Sequence, residues 1–316
     1  MTTLYRRLYH RLISHLYRDT NGDSRRSLVV AGAARSGTTW LAEMIAAPLA
    51  CRILFEPFHP GKVQAFSHFD YFHYERPFTD NAPLHAYCDT VLRGAIRHPW
   101  IDREASVLRP DYRLIKEIRA NLFLKWMQQR FPHTPILLIL RHPCAVVASR
   151  LQLQWATDSD IASFLRQPPL VEDFLADKLE LIAQARSDAA KHAIIWCISN
   201  AVPLQQFAPG ELPIVFYEHL LTQPEMVLTA VFQQIGVPLD PESVSQLTRR
   251  PSATSKKHSA VMTGANPLTQ WQKQLSASQI EDVLTVVAAF GLDTLYNDSP
   301  MPRQCGMEDE LSANKS

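Results

Sequence analysis

The chain has 316 residues, 46% of them hydrophobic, with 32 Lys plus Arg against 31 Asp plus Glu. That is enough apolar material for one large domain or two small ones, and a formal net charge of +1 excludes a global attraction for nucleic acid, so any anion site must be a local cluster. The five cysteines, Cys51, Cys88, Cys144, Cys197 and Cys305, form no C-x-x-C pair, which argues against a zinc site or a small disulfide scaffold and fits a reducing compartment.

The first segment, "LYRRLYHRLISHLYRD", repeats Leu4, Leu8, Leu12 and Leu16 at helical spacing with Arg6, Arg7, Arg11 and Arg18 between them. This predicts an amphipathic basic helix within residues 1–26, which either packs on the body of the protein or lies on an anionic membrane surface. No apolar run approaches the roughly 18 residues that span a bilayer, and the N-terminus lacks a signal-peptide layout. A cytoplasmic location, with membrane association through this helix as the open alternative, is therefore expected.

Short apolar runs then predict strands over Leu28 to Ala31, Arg52 to Phe55, Arg113 to Lys116, Ile136 to Leu140 and Leu212 to Phe216, mostly followed by helical periodicity. Strands alternating with helices predict an α/β fold of three layers, α/β/α, with a mainly parallel central sheet. The body spans 27–296. Within it, residues 57–112 form a long insertion rich in Phe, Tyr, His, Arg and Pro, and loops of this kind carry binding specificity on a rigid scaffold. Residues 297–316 are polar and read as a disordered tail.

The stretch "LVVAGAARSGTTWL" reads as a buried strand, a glycine turn and the start of a helix. Gly32 and Gly37 stand at the G-x-x-x-x-G spacing of a phosphate-binding loop, in a chain with only ten glycines. Free N–H groups around Gly37, Thr38, Thr39 and Trp40 and the hydroxyls of Ser36, Thr38 and Thr39 would make an anion cradle. An ordinary strand-to-helix turn capped by Ser and Thr is the alternative. A triphosphatase would carry Lys in place of Thr38 and a strand-end Asp for magnesium, and neither is found. The fourth strand runs instead into "RHPCAVVASRL", where Arg141 and Ser149 are spaced to clamp a second phosphate. Two phosphate sites imply a nucleotide with phosphates at both ends.

On these residues the chain resembles the sulfotransferases that use 3′-phosphoadenosine-5′-phosphosulfate (PAPS), whose fold is like that of P-loop NTPases. The resemblance implies that "ARSGTTWL", with Arg35, Ser36, Gly37, Thr38, Thr39 and Trp40, holds the 5′-phosphosulfate, and that Arg141, Pro143 and Ser149 serve the 3′-phosphate. It extends through "VFYEHLLTQPEMVLTAVFQQIGVPLD". The cytosolic small-molecule branch carries Lys where Arg35 stands and a Lys-x-His segment at the third strand end. Here that segment reads Lys116, Glu117, Ile118, so the His base is absent. The carbohydrate and tyrosylprotein branches look closer, since they use Arg in the loop and a Glu after the second strand. That implies Glu56, in "LFEPFHP", as general base, with Arg35 and Lys116 neutralising charge on the leaving phosphate and the sulfuryl oxygens.

Position supports the same set, because Gly32, Glu56, Lys116, Arg141 and Tyr217 each fall at or just past a different predicted strand end, where open α/β sheets bind ligands. Three readings stay open here. Glu56 has a rival role as the salt-bridge partner of Arg35. Glu117 is a weaker candidate, because alternation points it away from Lys116. Tyr217 either hydrogen-bonds near the phosphates or completes the core. The resemblance also implies a basic contact to the nucleotide from "SATSKKHS", by Lys256 or Lys257.

His59, His68, His73, His85 and His98 match no common zinc pattern. No metal is expected. The Arg and Glu pattern favours a carbohydrate or glycolipid hydroxyl as acceptor, and the aromatics of the insertion either stack on sugar rings or anchor the loop. Thr38, Thr39 and Trp40 replace the Ser-Ser-Phe frequent in carbohydrate members, which keeps tyrosine or a small alcohol open. A P-loop small-molecule kinase and a non-catalytic module holding the bisphosphate PAP are the rival functions.

Overall fold

A computed structural model describes residues 16–237 and 266–304. Its centre is a five-stranded sheet in the order β2-β3-β1-β4-β5. The strands are β1 (Ser27–Ala31), β2 (Arg52–Phe55), β3 (Arg113–Glu117), β4 (Ile136–Leu140) and β5 (Ile214–Phe216), and every pairing is parallel. The expected three-layer α/β/α class with a parallel sheet is therefore present. Parallel strands are covered on both faces and so read as unbroken apolar runs. Val29, Ala31, Leu54, Ile115, Leu138 and Leu140 feed one core layer, and Leu28, Val30, Ile53, Leu114, Leu137 and Ile139 the other. β5 starts two residues later than the apolar run suggests, because Pro213 has no N–H to give the ladder, although its carbonyl accepts from Leu138 N–H.

Helix α1 (Thr38–Leu49) covers the second layer. The other layer holds α2 (Ala82–Leu92), α3 (Leu124–Arg130), α4 (Pro143–Gln152), α5 (Asp158–Leu165) and the long α6 (Asp188–Gln206). Two helices follow β5, α7 (Tyr217–Thr222) and α8 (Pro224–Gln234). After the undescribed segment come α9 (Gln270–Gln274) and α10 (Ala277–Ala289), the latter packed on α6 and α4. With β1 central, the loop that follows it stands in the middle of the carboxyl edge, between the ends of β3 and β4.

Much of the aromatic insertion is core. Phe58 meets Phe66, Tyr87 and Phe123 edge-on at 5.4, 5.8 and 5.2 Å between ring centroids. At the opposite edge of the sheet, the first residues of β2 and β3, Arg52 and Arg113, are fully buried. Arg52 pairs with Asp19 and Asp102, and Arg113 with Asp19.

Two expected boundaries move. Residues 1–15 of the amphipathic segment lie outside the described residues, but Tyr17 to Thr20 are not helical. Arg18 N–H donates to Leu108 O and Thr20 N–H to Pro110 O, so the chain runs along the end of the insertion instead. At the other terminus, residues 297–304 are fixed rather than loose. The His142 ring Nε2 hydrogen-bonds Asn297 O at 2.8 Å, and Arg303 N–H donates to Leu295 O. Residues 305–316 lie outside the described residues.

Candidate active site

The loop between β1 and α1 turns at Gly37, whose φ of 96° is open to glycine, and a Cβ there would stand 2.6 Å from Tyr217 Cδ2. Gly32 is fixed by a close approach as well, since its Cβ would lie 2.6 Å from Ile139 O of β4. Arg35 also has positive φ, 79°, an uncommon state for a residue with a side chain and one that recurs at ligand sites. The turn aims the Arg35 guanidinium at α4, where Nε donates to Ser149 Oγ at 2.9 Å. From the end of β4, Arg141 Nη1 donates to Arg35 O at 3.1 Å, and its guanidinium carbon lies 4.2 Å from the Tyr217 ring centroid. Tyr217 in turn packs against Trp40 at 5.7 Å.

Arg35, Trp40, Arg141, Ser149 and Tyr217 are thus one connected group from four elements. Burial, and then the charge of Arg141, lower the Arg35 pKa. A buried guanidinium depressed by a neighbouring one is relieved by an anion. Ser36 Oγ and Arg141 Nε are buried and without a hydrogen-bond partner in the same group. Orphaned donors beside paired guanidiniums at a helix N-terminus suit phosphate oxygens. Thr38 and Thr39 are buried at the start of α1. Lys256 and Lys257 lie outside the described residues.

A second group stands at the ends of β2 and β3. Glu56 leaves β2 with φ 44° while its N–H donates to Lys116 O at 2.8 Å. That bend brings Glu56 Oε1 to 2.6 Å from Lys116 Nζ and Oε2 to 2.7 Å from Arg119 Nη1. The expected alternative, a Glu56–Arg35 ion pair, is corrected: the partners of Glu56 are Lys116 and Arg119, and Arg35 goes to Ser149. Burial works to raise the Glu56 pKa, but the charges and hydrogen bonds of Lys116 and Arg119 outweigh it and hold the carboxyl below its usual value.

Arg119 is the residue that sequence reading missed. It also donates from Nη2 to Tyr71 OH at 2.6 Å. Its only sequence signal is its place three residues after Lys116, just past the strand. Glu117 points to the other face, as alternation predicts, and its carboxylate accepts the N–H groups of Phe58, Ile118 and Arg119. Glu117 therefore ties the segment after β2 to the end of β3. Around Glu56, the half-buried rings of His59, Tyr71 and Trp100 form a wall, with His59 5.4 Å from Tyr71 and 5.5 Å from Trp100. Trp100 Nε1 donates to Glu56 O. Burial, and then the charge of Arg119, lower the His59 pKa to about 4, so the ring is neutral near pH 7. Among the described residues no group of three or more His, Cys, Asp or Glu side chains could hold a metal ion.

A parallel α/β sheet with a glycine loop beside two arginines, and a carboxylate–lysine pair on the same edge, is an arrangement suited to anion binding and group transfer. The chain belongs to the sulfotransferase family, whose model matches residues 27–241. Its class of chemistry is accordingly sulfuryl transfer. Among solved structures it is similar to the sulfotransferase domain from the curacin biosynthetic pathway, with 14% identity over 92% of this chain and 97% of that one at a TM-score of 0.40. Mouse sulfotransferase SULT7A1 complexed with PAP aligns over 88% of each chain with 12% identity and a TM-score of 0.42. The sulfotransferase domain from the Synechococcus PCC 7002 olefin synthase aligns over 86% of this chain and 95% of its own with 18% identity and a TM-score of 0.38. No curated protein sequence matches significantly.

Proposed function

We propose that the protein transfers the sulfuryl group of PAPS to a carbohydrate or glycolipid hydroxyl, with Glu56 as general base. The observation that carries this reading is the juxtaposition of two groups on one sheet edge: Arg35, Ser149 and Arg141 with the orphaned Ser36 Oγ, and Glu56 with Lys116. The donor supplies an activated sulfuryl group on a phosphate leaving group. The loop N–H groups, Arg35 and Ser36 would bind its 5′ end, and Arg141 and Ser149 its 3′-phosphate. The fit rests on the buried unpartnered donors of Ser36 and Arg141.

Transfer between oxygens leaves the protein little covalent work, so positioning and charge stabilisation dominate. Lys116 is shared. In the resting site it neutralises Glu56, and when it turns toward the sulfuryl oxygens it frees Oε1 to accept the acceptor hydroxyl's proton. Arg119 keeps hold of Oε2 and so fixes the direction of the base. The wall of His59, Tyr71 and Trp100 supports a sugar acceptor, because half-buried rings beside a base suit the apolar face of a pyranose. A tyrosine ring or a small alcohol would use the same wall. We place the enzyme in the cytoplasm, with its basic N-terminal segment packed on the body or against an anionic membrane, and cell fractionation distinguishes the two.

The first experiment is thermal unfolding with PAP, with ATP plus magnesium and with AMP. A ligand at a hundred times its dissociation constant stabilises by about 2.7 kcal/mol, roughly 4 to 6 °C for a chain this long. A shift with PAP alone supports the reading and leads to a PAPS assay over sugar, tyrosine and alcohol acceptors. A shift with ATP and magnesium alone would replace it with a kinase, and absence of turnover across the panel with PAP still bound would replace it with a binding module.

A further inference from the structure

The 3-10 turn Ile101–Glu104 at the end of the insertion packs along β2. From it, the Arg103 guanidinium lies over both Phe55 and Trp100, 4.7 Å from each ring centroid. Lys116 Nζ is 4.3 Å from the centroid of the same Phe55 ring. The turn thus shares an aromatic neighbour with the catalytic lysine. Its last residue, Glu104, has a carboxylate oxygen, Oε2, that is buried and without a hydrogen-bond partner. An unsatisfied buried carboxylate oxygen is costly unless the group is protonated or a mobile cation reaches it.

The charges that act on Glu104 belong to Lys116 of β3, Arg103 of its own turn, Glu43 of α1 and Glu56 at the end of β2. Nothing in the sulfuryl-transfer mechanism above uses it. We propose that Glu104 is a positioning residue for Lys116: when ionised it competes with Glu56 for the lysine ammonium, loosening the Glu56–Lys116 pair and freeing Glu56 to act as base. The proposal rests on the sulfotransferase reading with Glu56 as base and adds a charge-controlled step to it. No bond is made or broken at Glu104; it exchanges one proton with solvent.

Burial pushes the Glu104 carboxyl up to about 7, with Lys116 and Arg103 opposing and Glu43 and Glu56 adding to the rise. The group therefore changes charge in the pH range where a base is useful. With Glu104 neutral, Lys116 has only Glu56 among the described carboxylates. With Glu104 anionic, the ammonium is shared between two carboxylates and the hold on Glu56 weakens. Turnover should rise with pH through an ionisation near 7.

The test is the pH profile of kcat, measured with saturating PAPS and whichever acceptor the panel identifies, for the unmutated enzyme, Glu104→Gln and Glu43→Gln. Glu104→Gln should remove the limb near pH 7 and lower kcat at pH 8 by roughly tenfold, to the low-pH level, while PAP affinity stays within about twofold. Glu43→Gln keeps Glu104 but removes a like charge, so its limb should move to lower pH. This second variant keeps the test alive should Glu104→Gln fail to fold. The idea is overturned by an unchanged limb in Glu104→Gln, by a flat profile at the high-pH level, or by an unmoved limb in Glu43→Gln. Failure of the sulfotransferase reading would show separately, as absence of PAPS-dependent turnover in the unmutated protein.

Discussion

Replacing Asp19 by Ala tests whether the fold depends on the buried charges beneath the sheet. Asp19 Oδ2 pairs with Arg52 Nη1 and lies 3.2 Å from Arg97 Nη2, and Oδ1 is 3.4 Å from Arg113 Nη1. The Arg52 and Arg113 side chains have no exposed surface, and that of Asp19 has 4%. Without Asp19, Arg52 keeps Asp102 and the carbonyls of Gly94 and Ile96. Among the described residues Arg113 then keeps uncharged acceptors: Ser27 Oγ and the carbonyls of Leu92, Asn21 and Asp23. Removing one partner of a buried pair costs about 3 to 5 kcal/mol, because the remaining charge stays buried. At roughly 2.1 cal/mol/K per residue, unfolding this 316-residue chain carries an entropy of about 0.7 kcal/mol/K, so the melting midpoint should fall by about 4 to 7 °C. The assay is a thermal melt by calorimetry beside PAP titration at 20 °C. PAP affinity should be unchanged, since Arg52 and Arg113 begin the strands whose far ends carry Glu56 and Lys116. A midpoint loss under 2 °C would refute the view that these arginines depend on Asp19.

Glu56→Gln should lower kcat by about 10² to 10⁴ with PAP affinity within twofold; turnover near the unmutated level would give the base to another group. Arg141→Ala removes a charged donor from the second phosphate site and should weaken PAP by about 1.5 to 3 kcal/mol, roughly 10- to 150-fold in an isothermal titration, with AMP little affected. Gly37→Ala puts a Cβ 2.6 Å from the Tyr217 ring at φ 96°, so both melting midpoint and PAP affinity should drop, and a variant that binds normally would show that the loop tolerates the strain. His142 is buried, which lowers its pKa to about 4, so the unfolded chain takes up the proton first as pH falls below about 6.5. Its contribution is fully present above 6.5 and lost toward pH 4, worth roughly 3 kcal/mol in urea unfolding, and His142→Gln should flatten that slope.

The strands were legible because parallel strands buried on both faces must be continuous apolar runs, and the ends of those runs placed Glu56, Lys116 and Arg141 on one edge. Local spacing also supplied the loop, from Gly32 to Trp40. What stayed hidden depends on contacts between distant segments. Nothing local marks Arg119, a charge just past a strand, and only the bend at Glu56 and the position of Tyr71 make it a partner of that carboxylate. Arg52 and Arg113 looked like polar strand starts, and their burial comes from Asp19 and Asp102, far away in sequence. The aromatics of the insertion divide between neighbours of similar character: Phe58 is locked into the core while His59 faces the site. Composition cannot separate them, because both are ring-bearing residues in one Pro-flanked stretch.

The division of charge across the edge explains how a nearly neutral chain concentrates positive charge in one place. Arg35, Arg141, Lys116 and Arg119 gather there, and Glu56 takes two of them into ion pairs while Arg35 and Arg141 are left to repel each other. Lys116 is the hinge of this arrangement, since its ammonium lowers the pKa of Glu56 while it rests on the carboxylate. Any anion in the loop that draws Lys116 away raises the basicity of Glu56 by the same free energy, because linkage is reciprocal. A resting carboxylate that is a poor base becomes a better one only when its lysine has another anion to meet. With Glu56 as the proposed base, either a filled donor site or an ionised Glu104 would favour loss of the acceptor hydroxyl's proton, and the two add.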